Sequence, residues 1–153
     1  MTEGAFADPI RVLFVGTSNA TRSILAEAVL RRVGGEHFAV ASAGVTPTEI
    51  HPLTRRVLAD AGIDDEWAAA QPIEAFAGQP FDYVITVCDD ARATCPAFPG
   101  ADQSLHWGYK DPAGVSGDEA TQLAAFERVL TDLAGRVRQF VIVAERHGRL
   151  ATA

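Results

Sequence analysis

The chain has 153 residues, 48% hydrophobic and 22% charged, which suits one soluble domain with a real core and does not fit a disordered segment. Its formal charge of −7 excludes a basic face for nucleic acid or an anionic membrane, so neither is expected as a partner. The apolar runs fall far short of the roughly 20 residues that span a bilayer, no basic region precedes an apolar stretch near the start, and Cys88 and Cys95 are the whole cysteine complement. These features predict a cytoplasmic protein whose cysteines work as thiols.

Residues 1–9 read as a polar tail, 10–147 as one domain and 148–153 as a second tail. Ile10 to Val15 is a short apolar strand of the kind buried in parallel sheets. Small polar residues follow at 16–21. Arg22 to Val33 then has helical spacing, with Ile24, Leu25, Ala28, Val29 and Val33 towards one face and Gly34-Gly35 as the stop. Phe38 to Ala43 is a second strand, ending at Gly44. Pro52 opens a helix carrying Leu53, Val57, Leu58 and Ala61, closed by Gly62. Pro72 and Pro80 bracket a short helix at Ile73 to Phe76, and Phe81 to Val87 is a third strand. Residues 88–102 form an Asp/Pro/Gly-rich loop holding both cysteines, and Gln103 to Trp107 is a fourth strand. Beyond a Gly-Tyr-Lys-Asp-Pro turn, Leu123, Phe126, Leu130, Leu133, Val137 and Val141 repeat every three or four residues. The helical period runs through Val141 to Val143, which predicts one long helix and no strand there.

Alternating strands and helices with short connections predict an α/β fold: a single-domain open four-stranded parallel sheet with helices on both faces. Ligands of such sheets bind beyond the carboxyl ends of the strands, which gathers residues 16–22, 43–48, 88–95 and 107–112 on one rim.

Gly16-Thr17-Ser18-Asn19-Ala20-Thr21-Arg22-Ser23 leads straight from a buried strand into a helix. Such a turn can point several backbone N–H groups into a concavity, with a helix N-terminus behind it. Arg22 offers forked donors to a tetrahedral anion, Asn19 tolerates a left-handed backbone, and Ser23 can bond back into the loop. The plainer alternative is a turn capped by Thr21 with Arg22 in solvent. No Gly-Lys-Ser/Thr occurs, so this is not a Walker loop.

The stretch Gly16 to Ser23 is followed by Ile-Leu-Ala-Glu27. Three further stretches accompany it: Ser42-Ala-Gly44; Tyr83-Val-Ile-Thr-Val-Cys-Asp-Asp-Ala91 with Thr94-Cys-Pro96; and His106-Trp-Gly-Tyr-Lys-Asp-Pro-Ala113. Together they resemble the low-molecular-weight tyrosine phosphatase superfamily (a low-molecular-weight phosphatase-like fold), in its thioredoxin-coupled arsenate reductase branch. The resemblance covers roughly residues 10 to 140. It implies that residues 16–23 bind arsenate, phosphate or sulfate. It also implies that Cys88 and Cys95 relay oxidation outwards to a thioredoxin-like external reductant, and that Asp111 is the general acid. Asn19, Glu27 and Ser42 match positions that support the loop and, in some reductases, a potassium ion. No other metal and no tightly bound cofactor is expected, and the protein is expected to be a monomer.

The departure is Gly16, which stands where the family places its nucleophilic cysteine. Thr17 and Ser18 are set one and two residues further on and lack an evident base. The family's reduction of arsenate to arsenite should therefore be lost or impaired. Two other readings stay open: a non-catalytic oxyanion binder, and a thiol-based arsenite- or redox-responsive module on Cys88 and Cys95. A residual phosphatase is disfavoured, because its phosphoenzyme needs the same missing cysteine. Taken without the resemblance, the two cysteines could be packing residues, Asp111-Pro112 a plain turn, and Trp107 and Tyr109 either crevice walls or core. The four histidines lack metal-ligand spacing.

Overall fold

The structure, a computed structural model, describes residues 8–88 and 103–152, without the side chains of 148–152. Cys95 and most of the loop predicted after Cys88 lie outside the described residues. In chain order the elements are β1 (Ile10–Gly16), α1 (Arg22–Gly34), β2 (Phe38–Gly44), α2 (Pro52–Asp60), β3 (Tyr83–Thr86), β4 (Gln103–His106) and α3 (Glu119–Thr152). The strands form one four-stranded sheet in the order β2-β1-β3-β4, every pair parallel. The chain steps outwards from β1 to β2 and then back past β1 to β3. That reversal opens a crevice at the carboxyl ends of β1 and β3.

Strand side chains alternate between the two faces. Val12, Phe14, Tyr83 and Ile85 point to a core shared with Ile24 and Leu25 of α1, Val57 and Leu58 of α2, and Phe126 and Leu133 of α3. Leu13, Val15 and Val84 point the other way, to a smaller core with Ile73 and Phe81 that Phe76 covers from the Ile73–Phe76 turn of helix. Cys88 continues the alternation of β3 and belongs to this second core. Trp107 is a core residue and not a wall of the crevice. Its ring lies 5.8 Å from both Phe14 and Phe140.

Several element ends differ from the sequence pattern. Val33 is 39% exposed while every residue from Ser23 to Leu30 is buried, so α1 has no single apolar stripe. The sheet and α3 pack against α1, and of its last turn Arg31, Arg32 and Val33 are exposed while Gly34 is buried. Ala61 is exposed, because α2 stops at Asp60 and Gly62 turns the chain at a φ of 71°. The long helix is continuous through Val141 to Val143, of which Ile142 and Val143 are exposed, and it runs to Thr152, past residue 147.

Candidate oxyanion site

β1 delivers Gly16 to the carboxyl edge of the sheet, opposite Gly44 of β2. The carbonyls of Gly16, Thr17, Ser18 and Ala20 accept hydrogen bonds from the backbone N–H groups of Val45, Thr46, Thr48 and His51 at 3.1, 2.8, 2.9 and 3.1 Å. The Thr54 hydroxyl adds a bond to the Ala20 carbonyl at 2.8 Å. The described residues contain no cis peptide, and in a trans unit the next N–H points opposite to the carbonyl. The N–H groups of Thr17, Ser18, Asn19 and Thr21 are thereby turned away from the 45–54 segment. Residues 16–23 and Asp111 together line a concavity. An array of N–H groups at the start of a helix is an anion cradle.

Asn19 shapes the turn. It has a φ of 52°, the only positive value outside glycine among the described residues. Its Nδ2 donates to Ser23 Oγ at 2.8 Å and to Ser42 Oγ at 2.9 Å, and its Oδ1 accepts from the Gln71 N–H at 2.8 Å. Gly44 permits the close approach of β2 to the loop, since a Cβ there would stand 2.8 Å from the Asn19 nitrogen.

Arg22 is the first residue of α1 and its side chain is only 12% exposed, so it does not point into solvent. Its NH1 donates to the Tyr109 carbonyl at 2.8 Å, and NH2 lies 3.9 Å from Asp111 Oδ2. These contacts aim the guanidinium and leave part of its five N–H donors for an anion. Thr21 makes no side-chain capping bond to α1. Asp111, half exposed at the mouth, accepts the Ala113 N–H at 2.9 Å, so it is both the turn former and a wall of the cradle.

The Cys88 thiol is buried and sits 2.8 Å from Thr17 Oγ1, against the outside of the cradle. At Gly16 a Cβ would meet Ser23 Oγ at 3.1 Å and Val87 Cγ2 at 3.6 Å, which directs any side chain there towards Ser23.

Glu27 is buried, unlike most lone helical glutamates. Ser42 Oγ donates to its Oε1 at 2.6 Å, and Arg31 Nε and NH2 both reach Oε2 at 2.8 Å. Burial pushes the Glu27 carboxyl above its ordinary range, against the pull of the Ser42 and Arg31 bonds and the Arg31 charge. Asn19, Ser42 and Glu27 thus form a closed chain of donors and acceptors ending on a guanidinium. Asn19 presents its Nδ2, a donor, to Ser42, and both Glu27 oxygens already accept, so these side chains are committed to one another and to Arg31 and do not fit a potassium ion. Among the described residues no group of three or more His, Cys, Asp or Glu could hold a metal, and no helix is long and apolar enough to cross a membrane.

The sequence motifs leave Gln71, Thr54, His51 and Arg31 unmarked. His51 Nδ1 caps α2 by accepting the Leu53 N–H at 3.0 Å, which the His-Pro start could have signalled. Arg31 stands four residues after Glu27, a readable helical pair. Gln71 carried no local signal.

Fold and site together define an open parallel α/β protein with a phosphate-loop cradle at the carboxyl edge of its sheet. The family model for low molecular weight phosphotyrosine protein phosphatase matches residues 11–149. The arsenate reductase of Bacillus licheniformis is 32% identical over 134 residues, covering 88% of this chain and 96% of its own length. That of Bacillus subtilis is 31% identical over 129 residues, covering 84% and 93%. A solved arsenate reductase in its phosphate-binding state matches with a TM-score of 0.75 at 28% identity, over 87% of this chain and 97% of that one. A thioredoxin-dependent arsenate reductase of Corynebacterium glutamicum gives 0.66 at 31% identity, over 92% and 66%. The chain belongs to the low molecular weight phosphotyrosine protein phosphatase family, in its arsenate reductase branch.

Proposed function

We propose that the protein is an arsenate reductase-type oxyanion binder whose first chemical step is impaired by Gly16. Arsenate or phosphate occupies the cradle of residues 16–23, held by backbone N–H groups and by Arg22. Asp111, a lining residue at the mouth, gives a proton to a departing oxygen in this reading. Cys88 and Cys95 form the dithiol relay, and a thioredoxin-like dithiol regenerates it. The net reaction takes two electrons from a thiol pair: arsenate and two thiols give arsenite, a disulfide and water. In the family's route that sequence begins with a loop thiolate on the anion, and Gly16 offers no such atom. A potassium ion has no part in this reading.

The observation that carries it is the set of four loop carbonyls tied outwards to residues 45–51, which turns the intervening N–H groups away from that segment, in the loop that lines the concavity with Arg22. The relatives' names support the oxyanion and the reductant: one is a reductase in a phosphate-binding state and another is thioredoxin-dependent. Calorimetric titration with phosphate, sulfate and arsenate tests the site. Arg22→Ala should weaken binding at least about tenfold, the size of one lost charge-assisted contact. Equal affinity in the parent and the variant overturns the site.

Gly16 itself favours a second reading, in which the protein binds oxyanion without reducing it. Thioredoxin-coupled turnover decides between the two. Any arsenate-dependent oxidation of Cys88 and Cys95 to a disulfide supports the relay, and its absence at saturating arsenate supports the simple binder.

A further inference from the structure

We infer that Arg31, remote from the cradle, is a positioning residue of the oxyanion site and serves as its built-in cation in place of a bound metal ion. The inference rests on the oxyanion reading above and adds to it the means by which the loop is held open.

The chain of contacts runs from the guanidinium to the turn. Arg31 Nε and NH2 both bind Glu27 Oε2 at 2.8 Å, and the carboxylate is 4% exposed. A buried carboxylate needs a charged or hydrogen-bonding partner, and this fork supplies both. An ionised Glu27 only accepts, so the single hydroxyl hydrogen of Ser42 is committed to Oε1 at 2.6 Å. Ser42 can then only accept from Asn19, which fixes the Asn19 amide with Nδ2 towards Ser42 and Ser23. Its Oδ1 is left for the Gln71 N–H. All of Asn19's side-chain bonding is thereby assigned, and with it the left-handed backbone that bends the loop.

The connection between α2 and β3 grips this network twice. Gln71 binds Asn19 directly, and the Trp67 ring caps the Arg31 guanidinium at 4.5 Å from its centroid. Arg31 also reaches the Val40 carbonyl of β2 at 3.4 Å. The guanidinium is thus seated on three elements. Without the guanidinium, Glu27 Oε2 loses both of its donors, and a buried carboxylate left unpaired is pulled from its seat towards water. Its Oε1 then no longer holds the Ser42 hydroxyl, the direction of the Ser42–Asn19 bond is no longer fixed, and Asn19 loses its orientation.

Calorimetry with inorganic phosphate on the full chain tests this, using Arg31→Met, Arg31→Lys and the pair Glu27→Gln with Arg31→Met. Arg31→Met should lose about tenfold in affinity, as for one charge-assisted bond, while Arg31→Lys stays close to the parent. The double variant should recover most of the loss, because no buried charge then needs a partner. A role in stacking on Trp67 alone would show no such recovery. Exchange of sodium for potassium at constant ionic strength should leave the parent's affinity unchanged. An unchanged Arg31→Met, no recovery in the double variant, or a parent that needs potassium each overturns the inference. A parent that binds no phosphate in any salt removes the oxyanion reading instead. The network is then read from the Asn19 side-chain amide protons by NMR. They should exchange slowly in the parent and Arg31→Lys and rapidly in Arg31→Met; equal exchange overturns the inference.

Discussion

A Cβ at position 16 would stand 3.1 Å from Ser23 Oγ, at the foot of the cradle. That separation is tight but not prohibitive, and the neighbour is a serine hydroxyl and not backbone. Gly16→Cys should therefore fold, with Ser23 yielding by a few tenths of an ångström, and its sulfur should lie beneath the bound anion. The loop N–H groups, the start of α1 and Arg22 would all favour the thiolate. Arsenate-dependent oxidation of thioredoxin, or hydrolysis of an aryl phosphate, should rise at least about a hundredfold over the parent, the low end for a positioned reacting side chain. A parent as active as the variant would falsify the account of Gly16.

Gly44 offers a test of loop shape that touches no anion. Gly44→Ala places a Cβ 2.8 Å from the Asn19 nitrogen and 2.9 Å from the Ser18 carbonyl carbon. Backbone on both sides of the contact cannot swing aside as a side chain would. The substitution should cost about 1–3 kcal/mol of stability, as overpacking does, and should weaken phosphate binding as the N–H array is displaced. Denaturant titration beside calorimetry measures both losses. Retained affinity in a folded Gly44→Ala protein would mean that the array is not what binds.

Much of this could be read from the chain itself. The strand runs, the glycine stops and the motif around residues 16–23 place the sheet and the cradle, because they are local patterns. The bracing of the cradle is not local. Asn19 meets Gln71 52 residues away, and Arg22 meets the Tyr109 carbonyl 87 residues away. Neither pairing leaves a trace in spacing; both follow from the order in which the strands are laid down. Val33 shows the limit of periodicity, since it lies at the edge of the apolar face of α1 and is 39% exposed. The proposed relay of Cys88 and Cys95 is legible only as a pair of cysteines in the sequence, with Cys95 outside the described residues.

Glu27 should leave a mark on the pH dependence of stability. Its folded carboxyl titrates above the ordinary value of 4.5, chiefly because burial disfavours the charge. Between the unfolded and folded values, the folded state holds a proton that the unfolded state has released. Stability from this group is thus complete below the unfolded value and declines as pH rises through the folded one. Asp118, which accepts from the Thr121 N–H and hydroxyl at the start of α3, is shifted down from 3.8 and acts in a separate, more acidic window. Its contribution is present above the unfolded value and lost as pH falls. Denaturation of the parent and Glu27→Gln between roughly pH 4.5 and 8 should show a decline in the parent that the variant lacks. Parallel curves would place Glu27 at its unfolded value.

Cys88 reports on the cradle from outside. Its sulfur lies 2.8 Å from Thr17 Oγ1, and Thr17 is a lining residue of the site. The thiol is buried, so a reagent reaches it only when the loop or the chain end of β3 moves aside. An anion bound to the loop N–H groups and Arg22 holds the loop in place and should make such openings rarer, by mass action on the closed form. Alkylation of Cys88 by iodoacetamide, followed by mass spectrometry in a Cys95→Ser background, should slow as phosphate is added and level off at saturation. The concentration giving half protection should match the calorimetric dissociation constant. Arg22→Ala should abolish the protection without changing the rate in plain buffer much, since Arg22 contacts Tyr109 and Asp111 and not Cys88. Thr17→Val, which removes the hydroxyl beside the sulfur, should instead raise the rate in plain buffer. Phosphate that leaves the alkylation rate unchanged, at concentrations that saturate the cradle, would show that Cys88 and the oxyanion loop move independently and would break the link on which a relay through Cys88 depends.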